Sequence, residues 1–79
     1  MSEHTYKKVE IVGTSKVGVD GAINNAIEKA SKSLKNLDWF EVIETRGHIV
    51  DGKVSHTQVT LKVGFRLDWG FLARLKRFF

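Results

Sequence analysis

Apolar and polar residues alternate through the second half of the chain, from Asp38 to Leu67, and the alternation is interrupted at Asp51-Gly52. This pattern predicts one long β-hairpin that turns at the Asp-Gly pair. A tight hairpin turn needs positive φ at both central residues, and Asp-Gly tolerates that conformation better than most pairs. Since side chains alternate between faces, a two-residue turn also determines which residues lie opposite one another.

The predicted register divides the hairpin into two faces. One face pairs Trp39 with Gly64, Glu41 with Lys62, Ile43 with Thr60, and Thr45 with Gln58. The other face pairs Phe40 with Val63, Val42 with Leu61, and Glu44 with Val59, and continues to Phe65 and Leu67. The second face is apolar and should pack on a helix. The first is mixed, and its tryptophan has no side chain across from it.

The first half of the chain predicts a strand followed by a helix. Residues 5–14 alternate imperfectly and end at a Gly-Thr-Ser cluster, which is typical of a strand end. From Val19 to about Asn36 the apolar residues recur with the spacing of a one-sided helix: Val19, Ala22, Ile23, Ala26, Ile27, Ala30 and Leu34. Asp20 places negative charge near the free N–H groups at the start of the helix, and Asn36 could cap the end of the helix in the left-handed conformation.

The predicted element order is therefore β-α-β-β, an α+β fold. We expect the third strand in the middle, antiparallel to both others, so that the sheet order is 1-3-2 and the sheet wraps around the helix. The chain has 79 residues, 42% of them hydrophobic, which indicates one domain with a small core. One helix leaves part of a three-stranded sheet uncovered, and this favours self-association.

Composition narrows the classes of function. The chain has no cysteine, which excludes disulfides and thiolate metal sites and favours the cytoplasm. The N-terminus lacks the apolar core of a signal peptide, and no run reaches transmembrane length. The net charge is +4, but residues 69–79 contribute +3 of it, so the rest offers no evident basic face for nucleic acid.

No pattern typical of catalysis is found. The sequence lacks HExxH, GxSxG and a phosphate-binding glycine loop, so we expect a protein that is not an enzyme. The register places His48 and His56 on opposite faces, which makes them a poor metal pair, and no metal site is expected. Glu41 faces Lys62, and a cross-strand ion pair explains it better than acid–base chemistry.

Three residues of the hairpin have both a structural and a functional interpretation. Trp39 opposite glycine is either a packing residue that covers exposed backbone or a platform for a flat ligand. Gln58, on the same face, is either a solvated strand residue or a hydrogen-bonding partner. Arg46 either pairs with an acid such as Glu44 or serves a ligand. Residue types and periodicity leave these alternatives open.

Several segments together resemble one family. LDWFEV, TRGHIVDGKV and HTQVTLKVGFRL, preceded by YKKVEIVGTS and the amphipathic helix, are similar to the bacterial dodecins over about Tyr6 to Asp68. Dodecins are flavin-binding β-α-β-β proteins that assemble as hollow, cubic-symmetry homododecamers. The resemblance implies that this chain stores flavin and quenches its photochemistry without turning over a substrate.

The resemblance also implies roles for particular residues. Trp39 would stack on the isoalloxazine, Gln58 would bind its polar edge, and Arg46 would lie near the ribityl phosphate, which favours FMN over riboflavin. Riboflavin and FAD are the alternative cofactors. Since the register places Arg46 on the other face, either a bulge rotates the strand there or a neighbouring subunit supplies the residue. Arg66 and Lys7 are further candidates for the phosphate. Lys29 and Lys32 suit coenzyme A at a second site, or are simply a solvated helix face.

The C-terminus departs from the family pattern. Residues 1–68 form the dodecin-like domain, and WGFLARLKRFF follows as a basic, aromatic extension over residues 69–79. As a helix it would suit the surface of an anionic membrane. It suits equally well a tail that packs on the assembly, or an appended peptide. A self-assembling scaffold or a membrane-surface protein that acts through this tail is therefore the alternative to flavin storage.

Overall fold

A computed structural model of the chain describes residues 3–67. Strand β1 (Thr5–Ser15) is followed by helix α1 (Val19–Ala30), strand β2 (Leu37–Val50) and strand β3 (Lys53–Leu67). The strands form one sheet in the order β1-β3-β2, and β3 pairs antiparallel with both neighbours. The predicted α+β fold and strand order are confirmed. Residues 69–79, with their predicted membrane or packing roles, lie outside the described residues.

The hairpin turns where the Asp-Gly pair predicts. Asp51 has φ 53° and Gly52 has φ 74°, so both central residues of the turn are in the positive-φ region. Val50 pairs with Lys53 and Ile49 with Val54 directly beside the turn. This is the geometry that matches the natural twist of the two strands.

The register departs from the prediction in the middle of the hairpin. Trp39–Gly64, Phe40–Val63, Glu41–Lys62 and Val42–Leu61 are confirmed, but the register then shifts by one residue. Ile43 is extra in β2, and Ser55 is extra in β3, so these two β-bulges cancel before the turn. A third shift, at Asp38, separates the pair Leu37–Phe65 from Trp39–Gly64. The predicted pairs Ile43–Thr60, Thr45–Gln58 and Glu44–Val59 are wrong. The observed pairs are Glu44–Thr60, Thr45–Val59 and Arg46–Gln58.

The helix is shorter than its apolar spacing predicts. It ends at Ala30 and not near Asn36, and the next residues form a turn in which Leu34 N donates to Ala30 O at 2.9 Å. The Ser31 hydroxyl donates to Glu28 O at 2.7 Å, a local bond that competes with continued helix. Leu34 still packs against the core. Asn36 has the predicted left-handed conformation, with φ 64°, but its predicted role as the helix cap is wrong, because the cap residue is Ser31.

The core lies between α1 and the apolar face of β1 and β3. Ala22 and Ala26 of the helix are buried against a row on β3 that is at most 2% exposed: Val59, Leu61, Val63 and Phe65. Fully burying side chains of this size contributes about 1.5–3 kcal/mol each. The helix leaves the apolar side of β2 open, because Phe40 and Val42 are each 46% exposed. That open strip is the part of the sheet available to another subunit.

Gly13 sets how closely α1 approaches β1. A Cβ at this position would overlap the Ala22 carbonyl oxygen and lie 2.7 Å from the Ala26 Cβ. Both neighbours belong to the buried helix face, and one of them is backbone, so neither can move aside at low cost. The small residues of the helix and the glycine of the strand therefore form one close contact. No helix in the described part of the chain is long and apolar enough to cross a membrane.

We expect Gly13→Ala to destabilise the fold by about 1–3 kcal/mol, because the added methyl group overpacks the contact between helix and sheet. Chemical denaturation of the two proteins measures the difference. Val17→Ala is the matched control, since Val17 is 86% exposed and surface changes of this kind usually stay within about 0.5 kcal/mol. Equal stability of Gly13→Ala and the wild type would contradict the close contact.

Candidate functional site

The sheet face away from the helix, here called the outer face, carries the predicted site residues. Its side chains alternate with the buried row, so Gln58, Thr60, Lys62 and Gly64 of β3 lie on it. Across the sheet, Lys8 of β1 and Trp39 of β2 flank Gly64, and Thr14 and Arg46 flank Gln58. The outer face therefore has an aromatic row at one end and an amide–guanidinium row at the other.

The Trp39 indole lies face-on over Gly64. An ideal Cβ built on Gly64 would be nearly equidistant from three consecutive atoms of the six-membered ring, Cε2, Cζ2 and Cη2. Only a position above the ring plane satisfies that condition, so the ring covers the glycine backbone. Gly64 is buried in consequence, while Trp39 remains 38% exposed. Both predicted roles of Trp39 are thus compatible, because one side of the ring covers backbone while part of the indole stays accessible.

Two neighbours hold the indole in this orientation. The Tyr6 ring meets it edge-on, with centroids 5.2 Å apart and an interplanar angle of 72°, an arrangement that aromatic quadrupoles favour. The Trp39 Nε1–H donates to Glu41 Oε2 at 3.2 Å. The same oxygen accepts from Lys8 Nζ at 2.9 Å, which is also an ion pair. Contacts with Gly64, Tyr6 and Glu41 therefore hold the ring in one orientation.

These contacts act on the titration of Glu41. The hydrogen bond from Lys8, then that from Trp39, lowers the pKa of Glu41 below its ordinary value of 4.5. The side chain is 41% exposed, so water screens the pair. Because the folded-state pKa is depressed, the interaction is present above the ordinary pKa and is lost as pH falls through the lower, folded-state pKa.

The structure corrects the predicted partner of Glu41. Lys62 is its cross-strand neighbour, as predicted, but the ion pair forms with Lys8 of β1, two strands away. Lys8 is the β1 neighbour of Gly64, and its side chain reaches diagonally across β3 to Glu41 in the next row of the outer face. The alternation along β1 puts Tyr6 and Lys8 on the same face of that strand, and this is the face of the sheet that also carries Glu41. Predicting the contact between Lys8 and Glu41 also requires the register of β1 against β3, which pairs Lys8 with Gly64.

The bulge at Ile43 places Arg46 on the outer face, directly opposite Gln58. The unbulged register predicts the opposite face for Arg46, and that prediction is wrong because one extra residue in β2 reverses the alternation. Arg46 Nε donates to Glu44 Oε1 at 3.2 Å, and both side chains are more than half exposed. An exposed pair of this kind is weak, so Arg46 can exchange Glu44 for another anion at little cost.

Trp39 and Gln58 share the outer face but lie far apart on it. Their rows are six residues apart along β3, about 20 Å at the usual rise per residue of a strand. One flat tricyclic ligand cannot stack on Trp39 and bind Gln58 of the same chain. Arg66 is nearer to the indole, since it pairs with Tyr6 on the outer face and borders a small cleft with Asn36 and Asp38.

Lys7 is separated from these residues. It pairs with Phe65, whose side chain is buried on the helix side of the sheet, so Lys7 does not belong to the outer face. Arg66 is therefore the better placed of the two additional phosphate candidates within one chain. A role for Lys7 would require the geometry of an assembly.

The two hairpin histidines are neighbours, contrary to the prediction. The bulge at Ser55 makes His48 and His56 direct partners, and their rings stack with centroids 4.5 Å apart and planes 21° apart. The Ser55 hydroxyl lies 3.5 Å from His56 Nδ1. Nearly parallel rings do not direct two nitrogens at one ion. Within residues 3–67, no group of three or more His, Asp or Glu side chains could hold a metal.

A second depression lies between the end of β1 and α1. It has a volume of about 330 Å³, and its lining includes Lys29, Lys32, Asn25 and Thr14. Asn25 Nδ2 donates to Thr14 O at 2.9 Å and so ties the helix to the strand. The two lysines predicted for a second site therefore border a real cleft.

Comparison with known proteins gives a consistent result. Residues 5–68 match the family model Dodecin. The dodecin of Thermus thermophilus is 56% identical over 63 residues, which cover 80% of this chain and 91% of the relative. A crystal structure of that protein with one tryptophan replaced by phenylalanine aligns with a TM-score of 0.79 at 52% identity, covering 84% and 98% of the two chains. The dodecin from Streptomyces davaonensis aligns with a TM-score of 0.80 at 63% identity, covering 85% and 98%.

We expect Gly64→Ala to displace the Trp39 indole, because the new methyl group would occupy the space of the ring. The near-ultraviolet circular dichroism that arises from the coupled Tyr6 and Trp39 rings should fall. Thr60→Ala, on the same face of β3, is the control that should preserve the spectrum. An unaltered spectrum in Gly64→Ala would show that the ring does not rest on the glycine.

Proposed function

The chain belongs to the dodecin family, and we propose that it binds FMN by stacking the isoalloxazine ring on Trp39. The observation that carries the proposal is the fixed indole, which lies on Gly64 and keeps part of its surface exposed. A broad aromatic surface held in one orientation loses little side-chain entropy when a ligand stacks on it. Stacking contributes about 0.5–1.5 kcal/mol per ring pair beyond the burial of area.

We further propose that each flavin is bound by more than one subunit. The separation of about 20 Å between the rows of Trp39 and Gln58 supports this, because one chain cannot bring both to the same ring. In the proposed arrangement, Trp39 residues of two subunits enclose the flavins and Gln58 of another subunit binds the polar edge. The half-exposed Phe40 and Val42 on β2 supply apolar area for contacts between copies in a homododecamer.

The phosphate of FMN requires a cation, and the outer face offers two. Arg46 lies opposite Gln58, so a subunit that supplies the amide also supplies the guanidinium. Arg66 lies beside Tyr6 at the aromatic row and is the second candidate. A guanidinium binds phosphate with paired hydrogen bonds, which favours FMN over riboflavin. FAD would place additional bulk beyond the phosphate.

The proposed role is storage of flavin with quenching of its photochemistry. An indole in contact with an excited flavin donates an electron to it, and rapid return of that electron dissipates the energy. This role needs a ligand site and no catalytic group. It agrees with a site composed of one ring, one amide and one guanidinium. The cytoplasmic location expected from composition remains a prediction.

The cleft beside α1 supports a second proposed ligand, coenzyme A. Lys29 and Lys32 place two positive charges at its rim, and Asn25 and Thr14 add polar groups. Phosphates of a nucleotide are the natural counter-ions for such a rim. The cleft runs between α1 and the edge strand β1, and its lining includes none of Trp39, Gln58 and Arg46, so the two proposed ligands do not compete for the same side chains.

We expect the protein to quench the fluorescence of added FMN, and Trp39→Ala to abolish the quenching and weaken binding by at least about tenfold, since stacking on one aromatic side chain is worth about 1–3 kcal/mol. Fluorescence titration of FMN measures both. Trp69→Phe is the matched control, because it removes the other tryptophan and should keep the quenching. Unquenched emission at saturating protein would reject flavin stacking and favour a scaffold or membrane-surface role.

Arg46→Ala should weaken FMN binding about tenfold more than riboflavin binding, because a charge-assisted hydrogen bond to the phosphate is lost. Titration of both flavins against the variant and the wild type provides the comparison. Lys53→Ala, which removes a positive charge beside the hairpin turn, should affect both flavins little. Equal losses for FMN and riboflavin would remove the phosphate role from Arg46.

A further inference from the structure

We infer that Glu41, held by Lys8, is the residue that positions the Trp39 indole for stacking. The inference rests on the proposed flavin site, which it extends from the stacking ring to the groups that orient that ring. Three contacts carry it: the indole on Gly64, the bond from Trp39 Nε1 to Glu41 Oε2, and the bond from Lys8 Nζ to the same oxygen.

The geometry explains why the carboxylate controls the ring. Trp39 and Glu41 are two residues apart on one face of β2, so the carboxylate reaches the indole nitrogen without a change in backbone. With Cβ fixed by the strand, the ring can still rotate about its side-chain torsions. A bond at Nε1, remote from Cβ, restricts that rotation and leaves the ring lying over Gly64.

Lys8 makes the carboxylate a fixed acceptor. Without a partner, Glu41 could rotate into water, but the ion pair at 2.9 Å draws it across the sheet and towards the indole. The other charged groups that face Glu41 are Lys62, its direct neighbour on β3, and Glu10, which follows on β1 in the same row. The helix packs on the opposite side of the sheet and contributes none.

One consequence concerns recognition of the ligand. The indole N–H is already bound by a carboxylate of its own chain, so it is not available to donate to a flavin. Trp39 then offers only its ring surface. The polar edge of the flavin must be recognised by other groups, in agreement with the proposed division of the site between subunits.

The test uses two nearly isosteric substitutions in the full chain. Glu41→Gln removes the charge that attracts Lys8 and weakens the acceptor for Nε1–H. Glu10→Gln removes the same charge from the same row, but Glu10 has no contact with Trp39 among the described hydrogen bonds and serves as the matched control. A Trp69→Phe background leaves one indole, so that ¹⁵N-labelled tryptophan gives a single N–H resonance.

The first measurement needs no flavin. At neutral pH, Glu41→Gln should move the Trp39 indole N–H resonance, and Glu10→Gln should leave it in place. In the protein with Glu41 intact, the resonance should shift in acid with a midpoint below 4.5, because the Lys8 and Trp39 bonds lower the pKa of Glu41. Lys8→Met should raise that midpoint, whereas Lys62→Met should affect it less. A resonance that ignores both Glu41→Gln and acid would overturn the inference.

The second measurement is FMN binding. Glu41→Gln should weaken it about fivefold, the effect of one hydrogen bond of ordinary net strength, and Glu10→Gln should leave it unchanged. Equal affinity in the two variants would overturn the role of Glu41 in stacking even if the indole resonance shifts. If the wild type binds no FMN, the proposed function fails, and the indole resonance still decides whether Glu41 positions Trp39.

Discussion

The alternation of side chains along β3 is the constraint on which both faces of this molecule depend. β3 is the central strand, and it pairs with both neighbours. Its inward residues, from Val59 to Phe65, are at most 2% exposed and bind the helix. Its outward residues, from Gln58 to Gly64, form the floor of the candidate site. A slip of one residue in β3 would exchange core and site at once, so packing against α1 also specifies the functional face.

Much of the fold could be predicted from residue patterns. The Asp-Gly turn, the strand order and the apolar face of the helix follow from local chemistry and periodicity. Periodicity alone did not locate the bulges at Ile43 and Ser55, because the two extra residues cancel and the pairs on either side of them match the unbulged register. The end of α1 at Ala30 could not be predicted from the apolar spacing either. Leu34 continues the helical spacing and still reaches the core through a turn.

The candidate site was predictable in its residue types and less so in its geometry. Trp39 and Gln58 were expected on one face, and they lie there. The position of Arg46 depended on the bulge, and the partner of Glu41 depended on the reach of Lys8 diagonally across β3. The distance between the two rows means that the proposed flavin site needs more than one copy of the chain, and a single sequence specifies such a site only through its surfaces.

The bulge at Ile43 has a consequence for how copies of the chain meet. β2 is an edge strand of 14 residues with several exposed apolar side chains, and such an edge invites another strand to extend the sheet. The extra residue interrupts the regular spacing of its main-chain groups, so an incoming strand would lose its match partway along. Open-ended extension of the sheet from one copy to the next is therefore disfavoured. The interruption favours side-chain contacts over main-chain pairing between copies, and side-chain contacts can close a shell of finite size.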